Sequence, residues 1–403
     1  MSFRGILTNL CRTLVGVLFI FSGLIKANDP IGFSYKMNDY FGALDMTALD
    51  KYSLIFAFTI CFVEVVLGIL LLLGVYKKIK LPLLLITIAF FAFLTGFTLI
   101  NNWIHDNPDA AFSHWAEGVF HFKAVNLFYL TDCGCFGDAI KLKPVTSFLK
   151  DIVLLVLILF IIANGKDIKP LFRPGTSQTI AFMGAFLTLL FTFYCYYFLP
   201  VKDFLPFGVG KDIKLSTETP PNAPKDSMLM EFTYLNKTEN KPHIFDINHI
   251  PTDTNMWKCV GSKCEIIKEG YHPPIHDFIL SDSLNNDVTQ TFFDQPGYRL
   301  MIVQYDLATT NTHAQGRLNS LVNGLKKAKN FHVWALTSST GDDVKAYRKK
   351  YNVPYVYYAA DVTLLKTMIR ANPGLILIKD NVIINRWPAS LIPDASKLKS
   401  LMK

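Results

Sequence analysis

Residues Thr131–Asp138 read TDCGCFGD and separate two hydrophobic segments that are each long enough to cross a bilayer. Two cysteines one residue apart can close a disulfide only through a tight turn, and Gly134 is the residue best suited to that turn. Such a disulfide is strained and more easily reduced than an ordinary structural one. The spacing therefore predicts a redox pair, Cys133 and Cys135, and leaves open a soft-metal site or two unpaired thiols.

The composition predicts an integral membrane protein. Of the 403 residues 51% are hydrophobic and the mean hydropathy is +0.29, which is too apolar for a soluble globular protein of this length. The apolar residues are concentrated before residue 199. The formal charge of +8 includes no block of Lys and Arg, so we expect the lipid bilayer and no nucleic acid as a partner.

Five segments qualify as transmembrane helices of about 20 residues. They are Ile6–Lys26, Ser53–Val75, Leu81–Ile100, Val145–Ala163 and Thr179–Leu199. We predict an α-helical membrane bundle of four spans with the fifth as a tether, followed by an extracytoplasmic α/β domain. The domain prediction is a bundle over 1–176, the fifth helix over 177–200, a linker or small β module over 201–270, and an α/β domain over 271–403.

The charges of the loops predict the orientation. The short loops at 76–80 and 165–178 carry Lys and Arg, whereas the longer loops at 27–52 and 101–144 are richer in acids and aromatics. Basic loops stay in the cytoplasm, so we expect a cytoplasmic N-terminus. Everything after Pro200 then lies on the outer side together with Cys133 and Cys135, in a compartment where disulfides form and persist.

Glu64 lies near the middle of the second span, where a charged side chain needs a partner. Arg12 in the first span is at a roughly matching depth, so we predict an intramembrane polar pair of Arg12 and Glu64. A functional interpretation is contact with a proton or a quinone headgroup, and the structural one is an ion pair.

Histidines and aromatics alternate in the outer loop Trp103–Leu130. The spacings of nine and seven between His105, His114 and His121 fit no helical face well, so we expect no metal site. We interpret the loop as an interfacial aromatic belt, with an amphipathic helix over Ala110–Leu130.

Three parts of the first 170 residues resemble the DoxX family and the related MauE-type redox-associated membrane proteins. They are the pattern Arg12…Gly16…Phe19…Ser22-Gly23…Lys26, the span with Glu64…Gly68, and the string Asp132–Asp138. The whole layout resembles a group of such proteins from Bacteroidetes. The resemblance implies a bacterial inner-membrane bundle associated with thiol–disulfide chemistry in the maturation of exported proteins.

The bundle is also similar to those of the vitamin K epoxide reductase type, which pass electrons between a cysteine pair and a quinone. A quinone is therefore the one cofactor that the resemblance suggests, and none is certain. This chain departs from that type because it has C-x-C in place of C-x-x-C, and because its preceding outer loop has no second pair of cysteines.

The segment before residue 270 contains two further cysteines. Cys259 and Cys264 flank Gly261, which can form a turn. In an oxidising compartment this pattern predicts a structural hairpin disulfide, with a redox-active pair as the alternative.

The last part of the chain resembles a thioredoxin-like domain. Buried strands over Arg299–Tyr305 and Val333–Thr337 enclose a helix, and Gly374–Lys379 is followed by a two-residue turn into another strand. Pro373 matches the cis-proline of that fold. The position of the active C-x-x-C reads YDLATTNTH over 305–313 and contains no cysteine. We therefore expect the domain to bind or position a periplasmic or membrane protein partner rather than to exchange thiols itself.

The sequence is compatible with two functions. One is a membrane redox protein whose Cys133 and Cys135 exchange electrons with a partner docked by the outer domain. The other is a non-catalytic membrane scaffold or complex subunit. A transporter is disfavoured because the chain has one mid-membrane acid and no internal repeat.

Overall fold

The structure, a computed structural model, describes residues 3–108, 110–120, 129–130 and 133–402. Five of the helices in these ranges are long and apolar enough to cross a membrane, which confirms the predicted spans. The helices of this part are α1 (Phe3–Asn28), α2 (Pro30–Ala43), α3 (Ser53–Leu73), α4 (Lys77–Asp106), α5 (Ala111–Phe120), α6 (Pro144–Ala163) and α7 (Pro174–Phe198). The amphipathic helix predicted over 110–130 corresponds to α5, and its continuation over 121–128 lies outside the described residues.

Helices α1 and α3 are antiparallel neighbours that approach closely at two glycines. A Cβ atom built on Gly68 would lie 2.7 Å from the carbonyl oxygen of Gly16. Small residues allow helix backbones to meet in this way inside a membrane. The contact fixes the register of the two helices, since Gly16 lies level with Gly68 and Gly23 lies level with Val65.

Helix α7 carries the chain into the next domain and also packs along α3. The ring of Phe58 in α3 lies 5.1 Å from that of Phe193 and 5.8 Å from that of Tyr196, measured between centroids. The fifth span is therefore a packed member of the bundle as well as a tether.

Helix α2 lies in a loop that the sequence did not predict to be helical. Asp29 caps it by accepting a hydrogen bond from the backbone N–H of Gly32 at 2.8 Å, and Pro30 occupies its first turn. Aspartate at the N-cap followed by proline is a common way to begin a helix.

A small antiparallel sheet follows the membrane region. Its strands are β1 (Ser227–Asn236), β2 (Lys241–Asp246) and β3 (Trp257–Lys268), in the order β2-β1-β3. The hairpin predicted around Gly261 is wrong, because β3 runs straight through it and Gly261 lies opposite Thr233 of β1. Five residue steps along one strand separate Cys259 from Cys264 by about 16 Å, far beyond disulfide reach. Both are free thiols, and the predicted structural disulfide is not formed.

The last part of the chain is an α/β domain with a five-stranded sheet. Its strands are β4 (Tyr298–Val303), β5 (Phe331–Thr337), β6 (Tyr357–Ala359), β7 (Gly374–Lys379) and β8 (Val382–Pro388). The order is β6-β5-β4-β7-β8, with β4, β5 and β6 parallel and β7 and β8 antiparallel to their neighbours. Hydrophobic clusters cover both faces of the sheet. This is the strand order of a thioredoxin-like fold, and the predicted fold class is confirmed.

Several contacts fix this domain against one end of the bundle, which we term the domain end. Asn28 at the end of α1 donates to the carbonyl oxygen of Lys202 at 2.7 Å and accepts from its N–H at 3.0 Å. Arg386 of β8 forms an ion pair with Asp203. Ser390 donates to the carbonyl oxygen of Tyr197 in α7 at 2.7 Å.

Candidate functional site

The cysteine loop, residues 133–143, lies at the domain end of the bundle and leads into α6. Asn102 of α4 positions the chain just before it, since its side chain donates to the carbonyl oxygen of Leu130 at 2.7 Å and accepts from the N–H of Leu130 at 3.0 Å. Gly134 has a φ of +63°, a left-handed conformation that glycine adopts without strain. This turn directs two side chains inward: Cys133 and Cys135 are each only 8% exposed, and both are free thiols.

Neutral hydroxyl groups surround the Cys133 thiol. They come from Tyr40 of α2, Thr98 of α4 and Ser147 of α6, and the Tyr40 and Thr98 oxygens are 3.1 Å apart. Burial raises the pKa of Cys133 to about 11, and the hydroxyl groups offset only part of this effect. The thiol is therefore protonated at neutral pH.

Charged side chains surround Cys135 instead. Burial raises the pKa of its thiol, and Lys150 of α6 is the strongest opposing influence. Lys150 forms an ion pair with the fully buried Asp151, which also accepts from Thr95 of α4 at 3.0 Å. The carbonyl oxygen of Cys135 accepts a hydrogen bond from Ser22 of α1 at 2.9 Å.

Glu64 is paired with Lys26, not with Arg12 as predicted. The Lys26 ammonium lies 2.8 Å from Oε1 and 2.7 Å from Oε2 of Glu64, and 2.8 Å from Oγ of Ser22. These three hydrogen bonds use all three N–H groups of Lys26. Arg12 donates to the carbonyl oxygen of Lys169, 2.9 Å away. The glycine contact explains the difference, because it places Arg12 beside Gly74, beyond the end of α3 and far from the level of Glu64.

Arg370 joins the α/β domain to the cysteine loop. Its Nη2 lies 2.8 Å from Oδ2 of Asp138, and its Nε lies 2.8 Å from Oδ2 of Asp29, at the junction of α1 and α2. The Arg370 side chain is 7% exposed. A largely buried guanidinium held by two carboxylates gives strong charge-assisted hydrogen bonds, so this contact fixes the loop to the domain.

Arg370 lies two residues before Asn372, which forms a cis peptide bond with Pro373. Here the structure brings together the two segments that frame an active site in the thioredoxin fold. The N–H of Asn311 donates to the carbonyl oxygen of Asn372 at 2.9 Å, and the Asn372 side chain donates to that of Asp306 at 2.8 Å. Tyr35 of α2 donates to Tyr305 at 3.3 Å. The cysteine-free counterpart of a thioredoxin active site therefore faces the membrane bundle.

A cavity of about 660 Å³ separates the bundle from the domain beside these contacts. Charged side chains of both signs line it, including Lys36, Asp39, Lys141, Asp203, Asp361 and Lys366. Neither cysteine of the loop is among its lining residues. The thiols therefore face the interior of the bundle, away from the domain.

Sequence reasoning missed several members of this site. The best available signal was the Lys150–Asp151 dipeptide, because two charged residues inside a span are costly and usually have a purpose. Lys26 entered only through the resemblance pattern of the first span, with no partner predicted for it. Arg370 has no local sequence signal.

Residues 4–106 match the family described as Methylamine utilisation protein MauE. The match covers α1 to α4, and it confirms for this region the resemblance predicted from the sequence; it ends before the cysteine loop. A search of curated protein sequences finds no significant match.

Three solved structures are similar to part of the chain. The thioredoxin domain of a thiol-disulfide oxidoreductase from Bacteroides vulgatus is 14% identical, with 31% of this chain and 93% of that chain covered and a TM-score of 0.26. A solution structure assigned as a thioredoxin from Neisseria meningitidis is 21% identical, with coverage of 30% and 83% and a TM-score of 0.25. One assigned as a protein disulfide isomerase from Bacteroides thetaiotaomicron is 12% identical, with coverage of 31% and 82% and a TM-score of 0.25.

Proposed function

We propose that this chain is a membrane thiol–disulfide redox protein in which Cys133 and Cys135 form the redox pair. The observation that carries the proposal is the contact of Arg370 with Asp138, three residues after Cys135. Through it, a thioredoxin-like domain without thiols of its own holds a loop that has two. The domain then acts as a docking element for the cysteine loop and for a protein partner.

The proposed reaction is oxidation of a dithiol in an exported protein. A partner thiolate attacks one sulfur of the Cys133–Cys135 disulfide, breaks the S–S bond and forms a mixed disulfide. The second partner thiolate then displaces the cysteine that is still bound, so the partner leaves with a disulfide and both loop cysteines are reduced. The strain of a C-x-C disulfide favours this direction.

A quinone is the class of oxidant that we propose for restoring the pair. It would accept two electrons and two protons from the two thiols and leave as the hydroquinone. The inward direction of the thiols supports a membrane-soluble oxidant, because Cys133 and Cys135 are buried in the bundle and do not line the cavity beside the domain. The Lys26–Glu64 pair has its hydrogen bonds satisfied, so we assign it to holding the loop through Ser22 rather than to binding the quinone.

The proposed location is the bacterial inner membrane, with the N-terminus in the cytoplasm and the α/β domain in the periplasm. The basic loops at 76–80 and 165–178 support it, since both lie at the end of the bundle opposite the domain end.

A non-catalytic scaffold is the second candidate, and burial of the thiols favours it. Burial raises the pKa of Cys133 to about 11, so the thiol is protonated at pH 7, whereas thiol exchange needs the thiolate. The redox function therefore requires that the loop opens.

Trapping of mixed disulfides in cells distinguishes the two functions. The experiment uses Cys133→Ser and Cys135→Ser variants, acid quenching, alkylation and non-reducing gels. A redox pair yields a mixed disulfide with another protein in at least one single variant, and that species is absent from the double variant. Cys195→Ser, which removes a buried thiol from α7, is the matched control. A pair that stays in one oxidation state and never forms a mixed disulfide supports the scaffold instead.

A further inference from the structure

Three sulfur-containing side chains lie on one face of the small sheet formed by β1, β2 and β3. Met228 and Met230 are two residues apart in β1, so their side chains point to the same face. Cys264 of β3 lies directly opposite Met230. Residues that face each other across an antiparallel pair share a face, so the sheet places both thioethers and the thiol side by side.

The spacing of two of these sulfurs and the exposure of all three side chains suit a bound ion. The Sγ atom of Cys264 lies 3.7 Å from the Sδ atom of Met228. Metal–sulfur bonds of about 2.3 Å place two sulfur ligands of a tetrahedral or trigonal centre about 3.8–4.0 Å apart. Met228 and Met230 are 51% and 38% exposed and Cys264 is also exposed, so an ion can reach all three from solvent.

We propose that Met228, Met230 and Cys264 form a binding site for Cu(I). One thiolate and two thioethers are a soft ligand set, and soft sulfur ligands select Cu(I) over harder divalent ions. The Cys264 thiol loses its proton as it bonds to the ion, so binding releases one proton and needs no oxidant or reductant.

The described side chains do not supply a set of ligands for a harder metal ion at this position. Within the described ranges, no group of three or more His, Cys, Asp and Glu side chains is arranged to hold a metal ion. A zinc or magnesium site would need such a group. The sulfur cluster takes no part in the proposed redox function, and the two inferences can fail separately.

Anaerobic titration of the full-length protein in detergent with Cu(I), in competition with bicinchoninate, tests this site. Because Cys133 and Cys135 are themselves soft ligands, the titration uses a Cys133→Ser/Cys135→Ser background. We expect one Cu(I) per chain, with X-ray absorption showing only sulfur ligands. Cys264→Ser abolishes this binding, and Met228→Leu and Met230→Leu each weaken it at least tenfold.

Two variants serve as matched controls. Cys259→Ser removes an exposed thiol from the same strand, and Met256→Leu removes an exposed thioether next to β3. Cys259 pairs with Tyr234, four residues along β1 from Met230, so both controls should keep full affinity. Wild-type binding in Cys264→Ser, in Met228→Leu or in Met230→Leu overturns the proposal, as does an equal loss in Cys259→Ser.

Discussion

Arg370 and Asp138 form an ion pair with an N–O distance of 2.8 Å, although 232 residues separate them in the sequence. One partner belongs to the cis-proline segment of the α/β domain and the other to the cysteine loop. The conformation of the loop is thereby coupled to the docking of the domain. Release of this contact is the step that we expect to expose the thiols.

Substitution of Arg370 with alanine should make Cys133 and Cys135 more reactive toward a maleimide. The side chain is 7% exposed, and hydrogen bonds to charged groups contribute about 1.5–3 kcal/mol. Their loss should increase the open population about tenfold to a hundredfold, measured as the alkylation rate in native membranes. Arg317→Ala is the control, because Arg317 is an exposed arginine that donates to the carbonyl oxygens of Ala389 and Ser390 in the same domain. Equal rates in wild type and Arg370→Ala would show that the contact does not control access.

The reactivity of Cys133 should depend steeply on pH. Because burial raises its pKa to about 11, the thiolate fraction increases tenfold for each pH unit up to that value. The Cys135→Ser variant removes a neighbouring thiol that also raises this pKa, but burial, the larger cause, remains, so the alkylation rate should still be rising beyond pH 9. A small free thiol, whose ordinary pKa is about 8.5, levels off near pH 9 and serves as the reference. A plateau of the Cys133 rate below pH 9 would contradict the buried environment described above.

Replacement of Glu64 by glutamine should destabilise the bundle. It leaves the Lys26 ammonium charged and buried without a counter-ion, and removal of one partner from a buried pair costs about 3–5 kcal/mol. We expect poor accumulation in the membrane and a lower Tm in detergent.

A double-mutant cycle identifies the partner of Glu64. Addition of Lys26→Met to Glu64→Gln should recover much of the loss, because residues in contact are energetically coupled. Addition of Arg12→Gln should give an additive effect. Recovery by Arg12→Gln, with an additive effect of Lys26→Met, would instead identify Arg12 as the partner of Glu64.

Substitution of Gly68 with alanine should loosen the contact of α1 with α3. The new Cβ atom would lie 2.7 Å from the backbone oxygen of Gly16, which no side-chain rotation can relieve. Overpacking of this kind costs about 1–3 kcal/mol, measurable as a lower Tm. Gly42→Ala, which meets no atom within 4 Å, should leave the Tm unchanged or raise it. A Gly68→Ala protein as stable as wild type would show that α1 and α3 can move apart at this contact without loss of stability.

The parts of the structure that follow from local sequence were predictable. Five apolar stretches gave five spans, and alternating buried strands and helices gave the α/β domain. Helix α2 was missed although its signal is local, because Asp29-Pro30 serves equally to end one helix and to begin another. The predicted disulfide of Cys259 and Cys264 was wrong because a glycine that can form a turn need not form one. Pairing of β3 with β1 keeps Gly261 extended.

The parts that depend on contacts between distant segments were not predictable from one sequence. Lys26 and Arg12 are both basic residues of α1, and only the register set by Gly16 and Gly68 decides which of them meets Glu64. Arg370 resembles any arginine at the end of a helix until the domain is docked. The environment of Cys135 depends on Lys150 and Asp151 of α6, the helix that follows the cysteine loop, and the turn at Gly134 brings Cys135 near them.

The reciprocal hydrogen bonds of Asn28 with Lys202, together with the Arg386–Asp203 ion pair, bear on how a partner protein reaches the cysteine loop. They tie the α/β domain to the end of α1 through Lys202 and Asp203, so under the proposed redox function we expect the domain to stay docked there rather than swing outward to a partner. A protein that uses this site must travel to it. We therefore expect clients whose reactive segment is long and unfolded, or which are themselves tethered to the same bilayer.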